Sequence, residues 1–144
     1  GVKAAIDKDD KVWILDVIRG RWDSGSREKI ILDTARMDGK SVRIGLEQEP
    51  GSGGKESAEG TLKRLTLAGY RAFVDKVTGD KELRAKPLSV MVNMGQVVLV
   101  NSLWNAEFVH EMRFFPRSKY KDQVDAASGA FTGLSKTRYR IGAM

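Results

Sequence analysis

Four carboxylates are placed where they could do joint chemistry. Glu47 and Glu49 stand two residues apart in Val42-Arg-Ile-Gly-Leu-Glu-Gln-Glu-Pro50, so on a strand they leave the same face, and Pro50 ends the pairing. Asp122 and Asp125 stand three apart in Lys121-Asp-Gln-Val-Asp-Ala-Ala-Ser-Gly129, one turn apart at the start of a helix. Carboxylates from a strand end and a helix start are hard oxygen ligands suited to Mg²⁺ or Mn²⁺. Two such ions about 3.5–4 Å apart can activate water and stabilise the leaving oxygen in phosphodiester cleavage. The competing reading is of solvated caps and surface ion pairs.

The acids on the last helix also share a side with small residues. At 100° per residue Asp122, Asp125, Ala126, Gly129 and Gly133 fall together, opposite Val124, Ala127, Phe131 and Leu134. Small residues permit close approach, and the helix dipole favours Asp122 as an anion. Basic residues near strand and helix ends are candidates for holding a phosphate backbone: Lys55 after Gly51-Ser-Gly-Gly54, Lys81, Arg84 and Lys86 beside Thr78-Gly79, and Arg19 and Arg21. The glycine turn before Lys55 lacks GxxxxGK[ST] spacing, so an NTPase site is not expected.

Elements that would position these residues are visible in the patterning. Gly1 to Ile6 and Lys11 to Ile18 make a hairpin around a polar turn, Asp7 to Asp10. The second strand is apolar on both faces except for Asp16, which is read as a buried hydrogen-bonded residue in preference to a further acid near the site. A helix follows, capped by Asp23, Ser24 or Ser26 and stopped by Gly39. Ser41 to Glu49 is expected as a buried strand, Gly51 to Gly54 as a flexible turn, Lys55 to Leu67 as a helix and Tyr70 to Val74 as a strand. The next helix, Glu82 to Met94, contains Pro87 and should start late or kink there. Val97 to Val100 is a short strand, and Trp104, Phe108, Met112 and Phe115 form a helical core stripe. The final helix is expected over Lys121 to Leu134. This order is α/β with a mixed sheet, and Glu47 lies where open α/β sheets place their sites.

Composition sets the bounds. The chain has 144 residues, 41% hydrophobic and 31% charged, and fits one soluble globular domain over residues 1–134 with a basic C-terminal extension over 135–144 carrying Lys136, Arg138 and Arg140. A net charge of +6 and a pI near 9.7 permit a polyanionic partner without demonstrating one. Cysteine is absent, which excludes disulfides, thiolate catalysis and zinc-thiolate sites. His110, the one histidine, falls on an amphipathic helix and does not suggest a Ser-His-Asp triad, and Trp104 reads as core in preference to a base-stacking platform. No membrane span or signal-peptide layout is evident, so a cytoplasmic setting is the default.

The ordered set Leu15-Asp-Val-Ile-Arg-Gly-Arg-Trp22, Leu46-Glu-Gln-Glu-Pro-Gly-Ser-Gly-Gly-Lys55, Val77-Thr-Gly-Asp-Lys81, Trp104-Asn-Ala-Glu-Phe108, Phe115-Pro116 and Asp122-Gln-Val-Asp-Ala126 resembles the C-terminal nuclease domain of tailed-bacteriophage terminase large subunits. The resemblance spans nearly the whole chain and implies an RNase H-like mixed β-sheet flanked by helices. It implies a two-metal endonuclease that cuts concatemeric viral DNA during packaging in the cytoplasm of the bacterial host. It also implies double-stranded DNA, the terminase ATPase domain, the small terminase subunit and the portal as partners. On this resemblance the strand-end acid is Glu47, with Glu49 beside it, and the helix-start acid is Asp122, with Asp125 one turn on.

The family's first catalytic aspartate belongs to a strand ahead of the hairpin that this chain does not contain. Asp7 and Asp10 do not match it, since both lie in the hairpin turn. Weak metal binding and little cleavage are therefore expected of this chain, along with an exposed sheet edge that a second copy could fill. Two other readings remain open: a non-catalytic basic DNA-binding module of the packaging motor, and a resolvase of branched DNA.

Overall fold

A computed structural model of the chain describes residues 1–142; for 138–142 it gives backbone alone. Among these residues the order is β1 (Val2–Ile6), β2 (Val12–Val17), α1 (Ser24–Asp38), β3 (Arg43–Gln48), α2 (Ser52–Leu67), β4 (Arg71–Lys76), α3 (Lys81–Asn93), β5 (Val97–Leu99), α4 (Asn105–Phe114) and α5 (Asp122–Gly142). The architecture is α/β, as expected from the alternation of periods. The chain divides into two compact units, one made of residues 1–19 and the part from Gly79 onward, the other of residues 20–78.

In the first unit β1 pairs antiparallel with β2, and β2 pairs parallel with β5, giving a mixed sheet in the order β1-β2-β5. The hairpin turn is held by Asp7, whose carboxylate accepts from the backbone N–H groups of Asp9 and Lys11 (both 2.9 Å) and from Trp13 Nε1 (2.8 Å). These bonds hold the Asp7 carboxyl below the usual aspartate range, the Trp13 bond contributing most. Asp10 takes a positive φ of 63°, which an aspartate tolerates better than most residues. Val12, Ile14, Val17, Leu88, Phe108 and Ala127 form the core, with Trp104, Met112 and Phe131 packed against it. Trp104 meets Phe108 edge to face at 5.7 Å, so it is a core residue and not a stacking platform.

In the second unit β3 and β4 pair parallel, in register from Arg43↔Arg71 to Gln48↔Lys76. β3 is not buried as its sequence suggests: Arg43, Gly45 and Glu47 are exposed and alternate with half-buried Ile44, Leu46 and Gln48. This is the period-2 pattern of a strand covered on one side. α1 is capped by Asp23, whose side chain accepts from Ser26 N, and its Glu28 accepts from Arg64 Nη1 of α2 at 2.8 Å.

Several expected boundaries move. α2 starts at Ser52, so Gly53 and Gly54 lie in its first turn and not in a flexible loop. Gly51 precedes it with φ 99°, and a Cβ on Gly54 would lie 2.4 Å from the Glu49 carbonyl oxygen, so the tight exit from β3 requires both glycines. α3 starts at Lys81, where Asp80 caps it by accepting from Glu82 N, and it runs on through Pro87 to Asn93. β4 continues to Lys76. α5 runs on past Leu134, so residues 135–142 of the basic extension are helical. Ala143 and Met144, and the side chains of Arg138 and Arg140, lie outside the described residues.

Candidate functional site

The α5 start carries the most instructive geometry. The residue ahead of the helix is Lys121, whose side chain has donors and no acceptor, so it cannot cap the exposed N–H groups. Glu111 of α4 does so instead. It is 3% exposed, and its Oε1 accepts from the backbone N–H groups of Gln123 (2.7 Å) and Val124 (3.0 Å) while Oε2 accepts from Gln123 Nε2 (2.8 Å). A negative charge at this end is favoured by the helix dipole.

The two acids of this turn have different surroundings. Asp125 is 9% exposed and faces α3, where Lys81 Nζ lies 2.5 Å and Arg84 Nη2 3.6 Å from its carboxylate oxygens. Burial next to two cations is the setting of a structural ion pair. It also occupies two of the residues expected to hold a phosphate backbone. Asp122 is exposed. Asp122 and Asp16 both raise the pKa of the Gly1 amino group, against the larger lowering by burial. Asp16 is half-buried and accepts from Val17 N at 2.9 Å, which matches its expected hydrogen bond and also brings it within electrostatic range of that amine.

Glu47, in the second unit, is exposed near the end of β3 and stands beside Asp75 of β4 in the parallel register. Glu49 is exposed and lies beyond the strand. Lys55 is in the first turn of α2, 3.8 Å from Glu59 one turn on, and Arg21 is exposed. Arg19 pairs with Glu107 and lies over the Tyr120 ring at 5.1 Å. It lines a cleft of about 440 Å³ with His110, Ser118, Lys119 and Gln123.

The exposed Asp122 carboxylate is a hard oxygen donor, the kind that Mg²⁺ or Mn²⁺ takes. Among the described residues, no group of three or more His, Cys, Asp or Glu side chains gathers to hold a metal. Glu111 and Asp75 were not found by sequence reasoning. Glu111 sits at a helical position with no motif around it, and Asp75 needs the β3–β4 register to place it beside Glu47.

The family model described as the terminase RNase H-like domain matches residues 1–133. The chain belongs to that family. The match runs through both units and includes Glu47 and Asp122. Neither the curated proteins nor the solved structures contain a match to the chain. The mixed sheet of this terminase domain agrees with the RNase H-like class. Nucleases of that class generally use divalent metals. No helix among the described residues is long and apolar enough to cross a membrane.

Proposed function

We propose that this terminase domain is a metal-dependent DNA endonuclease that cleaves concatemeric viral DNA during packaging, and that Glu47 and Asp122 are its acidic residues. The observation that carries the reading is the family match over residues 1–133, which spans the elements bearing both acids. Magnesium or manganese ions would supply water activation and stabilisation of the leaving oxygen. Asp122 presents an exposed carboxylate from a turn fixed by Glu111. Glu47 presents another from the exposed face of β3. We assign Asp125 to an ion pair with Lys81 and Arg84, and Glu49 to the turn that follows the strand. Arg19, Arg21 and Lys55 are the basic residues proposed to meet DNA phosphates. The domain meets double-stranded DNA and works with the terminase ATPase domain, the small terminase subunit and the portal in the cytoplasm of the bacterial host.

The test uses supercoiled plasmid with Mn²⁺, comparing the chain, a version extended by an upstream strand carrying an aspartate, and Asp122→Ala in that version. Nicking by the extended version and its loss in Asp122→Ala are expected. An intact plasmid, or equal cutting by Asp122→Ala, refutes the nuclease assignment. A second reading, a non-catalytic DNA-binding module, draws support from the net charge of +6. It calls for salt-sensitive DNA binding with no cleavage by either version.

A further inference from the structure

We propose that Glu111 is a positioning residue that aims Asp122, a role that rests on Asp122 being a carboxylate of the metal site. The N–H that Glu111 holds at 2.7 Å belongs to Gln123, so the peptide plane it pins is the one joining Asp122 to Gln123. That plane contains the Asp122 Cα, so pinning it restricts ψ of Asp122 and with it the backbone from which the side chain departs. The Val124 N–H bond at 3.0 Å fixes the next peptide, and the Gln123 Nε2 bond at 2.8 Å stops the carboxylate from swinging away. Both partners are buried, so water does not substitute for either of them.

Asp122 is itself exposed, and its carboxylate has the rotational freedom that exposure allows. Its preorganisation therefore comes from the backbone beneath it. Phe115 to Lys121 connect α4 to α5, and the Glu111 contacts span that loop to lock the second helix to the first. Phe108, three residues earlier on α4, is 2% exposed in the core, which makes the Glu111 anchor a rigid one.

The exchange Glu111→Gln with Gln123→Glu reverses donor and acceptor across the side-chain contact while keeping the local charge. Glu111→Gln alone keeps one acceptor oxygen, but a neutral one, so the bonds from the Gln123 and Val124 N–H groups lose their charge assistance, and the Gln123 amide must turn its oxygen toward the new amide. Adding Gln123→Glu restores both the complementary hydrogen bond and the local charge. In the full chain, amide hydrogen exchange at Gln123 and Val124 is measured without metal, and broadening of nearby resonances is measured on titration with Mn²⁺.

Glu111→Gln is expected to speed exchange at both amides and weaken Mn²⁺ binding about tenfold, as loss of a ligand-orienting contact does, with the double exchange regaining both. Unchanged Mn²⁺ affinity in folded Glu111→Gln, whether or not the amides lose protection, overturns the proposal. A double exchange that folds but does not recover Mn²⁺ binding overturns it as well. Asp122→Asn is run alongside and should abolish the broadening. Unchanged broadening in Asp122→Asn overturns the role of Asp122 itself, while the exchange rates still report separately whether Glu111 holds the turn.

Discussion

Replacing Asp125 by Asn removes one charge from α5 with almost no change in volume. In the folded chain that carboxylate is 9% exposed and engages Lys81 at 2.5 Å and Arg84 at 3.6 Å. Breaking a fully buried pair costs about 3–5 kcal/mol, whereas an exposed pair contributes at most about 1 kcal/mol. Lys81 is half exposed and Arg84 one-quarter exposed, so solvent screens part of the attraction and the cost falls between these limits, near 2 kcal/mol. Loss of a negative charge in the first turn of α5 adds a few tenths of a kcal/mol. For a chain of this length the total corresponds to a melting temperature lower by about 6 °C, read by circular dichroism.

Asp122→Asn is the matched control, because the exposed residue should leave the melting temperature within about 2 °C of the parent. In the Mn²⁺ titration the order is expected to invert, Asp122→Asn losing binding and Asp125→Asn retaining it. Equal melting temperatures for Asp125→Asn and the parent would refute the assignment of Asp125 to an ion pair. A drop of similar size in Asp122→Asn would refute the distinction between the two acids.

Two neighbouring glycines are expected to respond in opposite directions to alanine. Gly54→Ala places a Cβ 2.4 Å from the Glu49 carbonyl and should cost about 1–3 kcal/mol in chemical denaturation. Gly53→Ala meets open space in the same helical turn and should stabilise by about 0.5–1 kcal/mol; loss of stability there would show that the helix does not begin at Ser52. The Asp7 carboxyl is held below the ordinary value of 3.8 by bonds present in the fold. Its contribution to stability is therefore complete above that pH and is lost as pH falls through the depressed value. The Trp13 indole N–H resonance should titrate with a midpoint below 3.8, and a midpoint at or above that value would contradict the hydrogen bond.

Much of the architecture was legible because it depends on local periodicity. The apolar run in Val12 to Val17, the stripe from Trp104 to Met112 and the stop at Gly39 each follow from residues adjacent in the chain. The boundaries that moved depend on contacts to backbone. Gly53 and Gly54 look like a loop by composition, but Gly51 with a positive φ turns the chain sharply enough for the helix to begin before them. Pro87 did not delay α3, because the Asp80 cap starts the helix well ahead of it.

By itself the sequence determined the kind of chemistry available: hard carboxylates at a strand end and a helix start, no thiolates, and a motif order that belongs to the terminase RNase H-like family. It put Asp122 first and kept Asp125 as a further ligand, since both occupy the same turn and the same side of a helical wheel. Only the tertiary structure separates them, by packing α3 against one and leaving the other in solvent. Only the tertiary structure reveals Glu111, because the cap of α5 comes from a different helix. A helix start without its own acceptor takes one from whatever element folds against it, and that choice is made by packing and not by neighbouring residues.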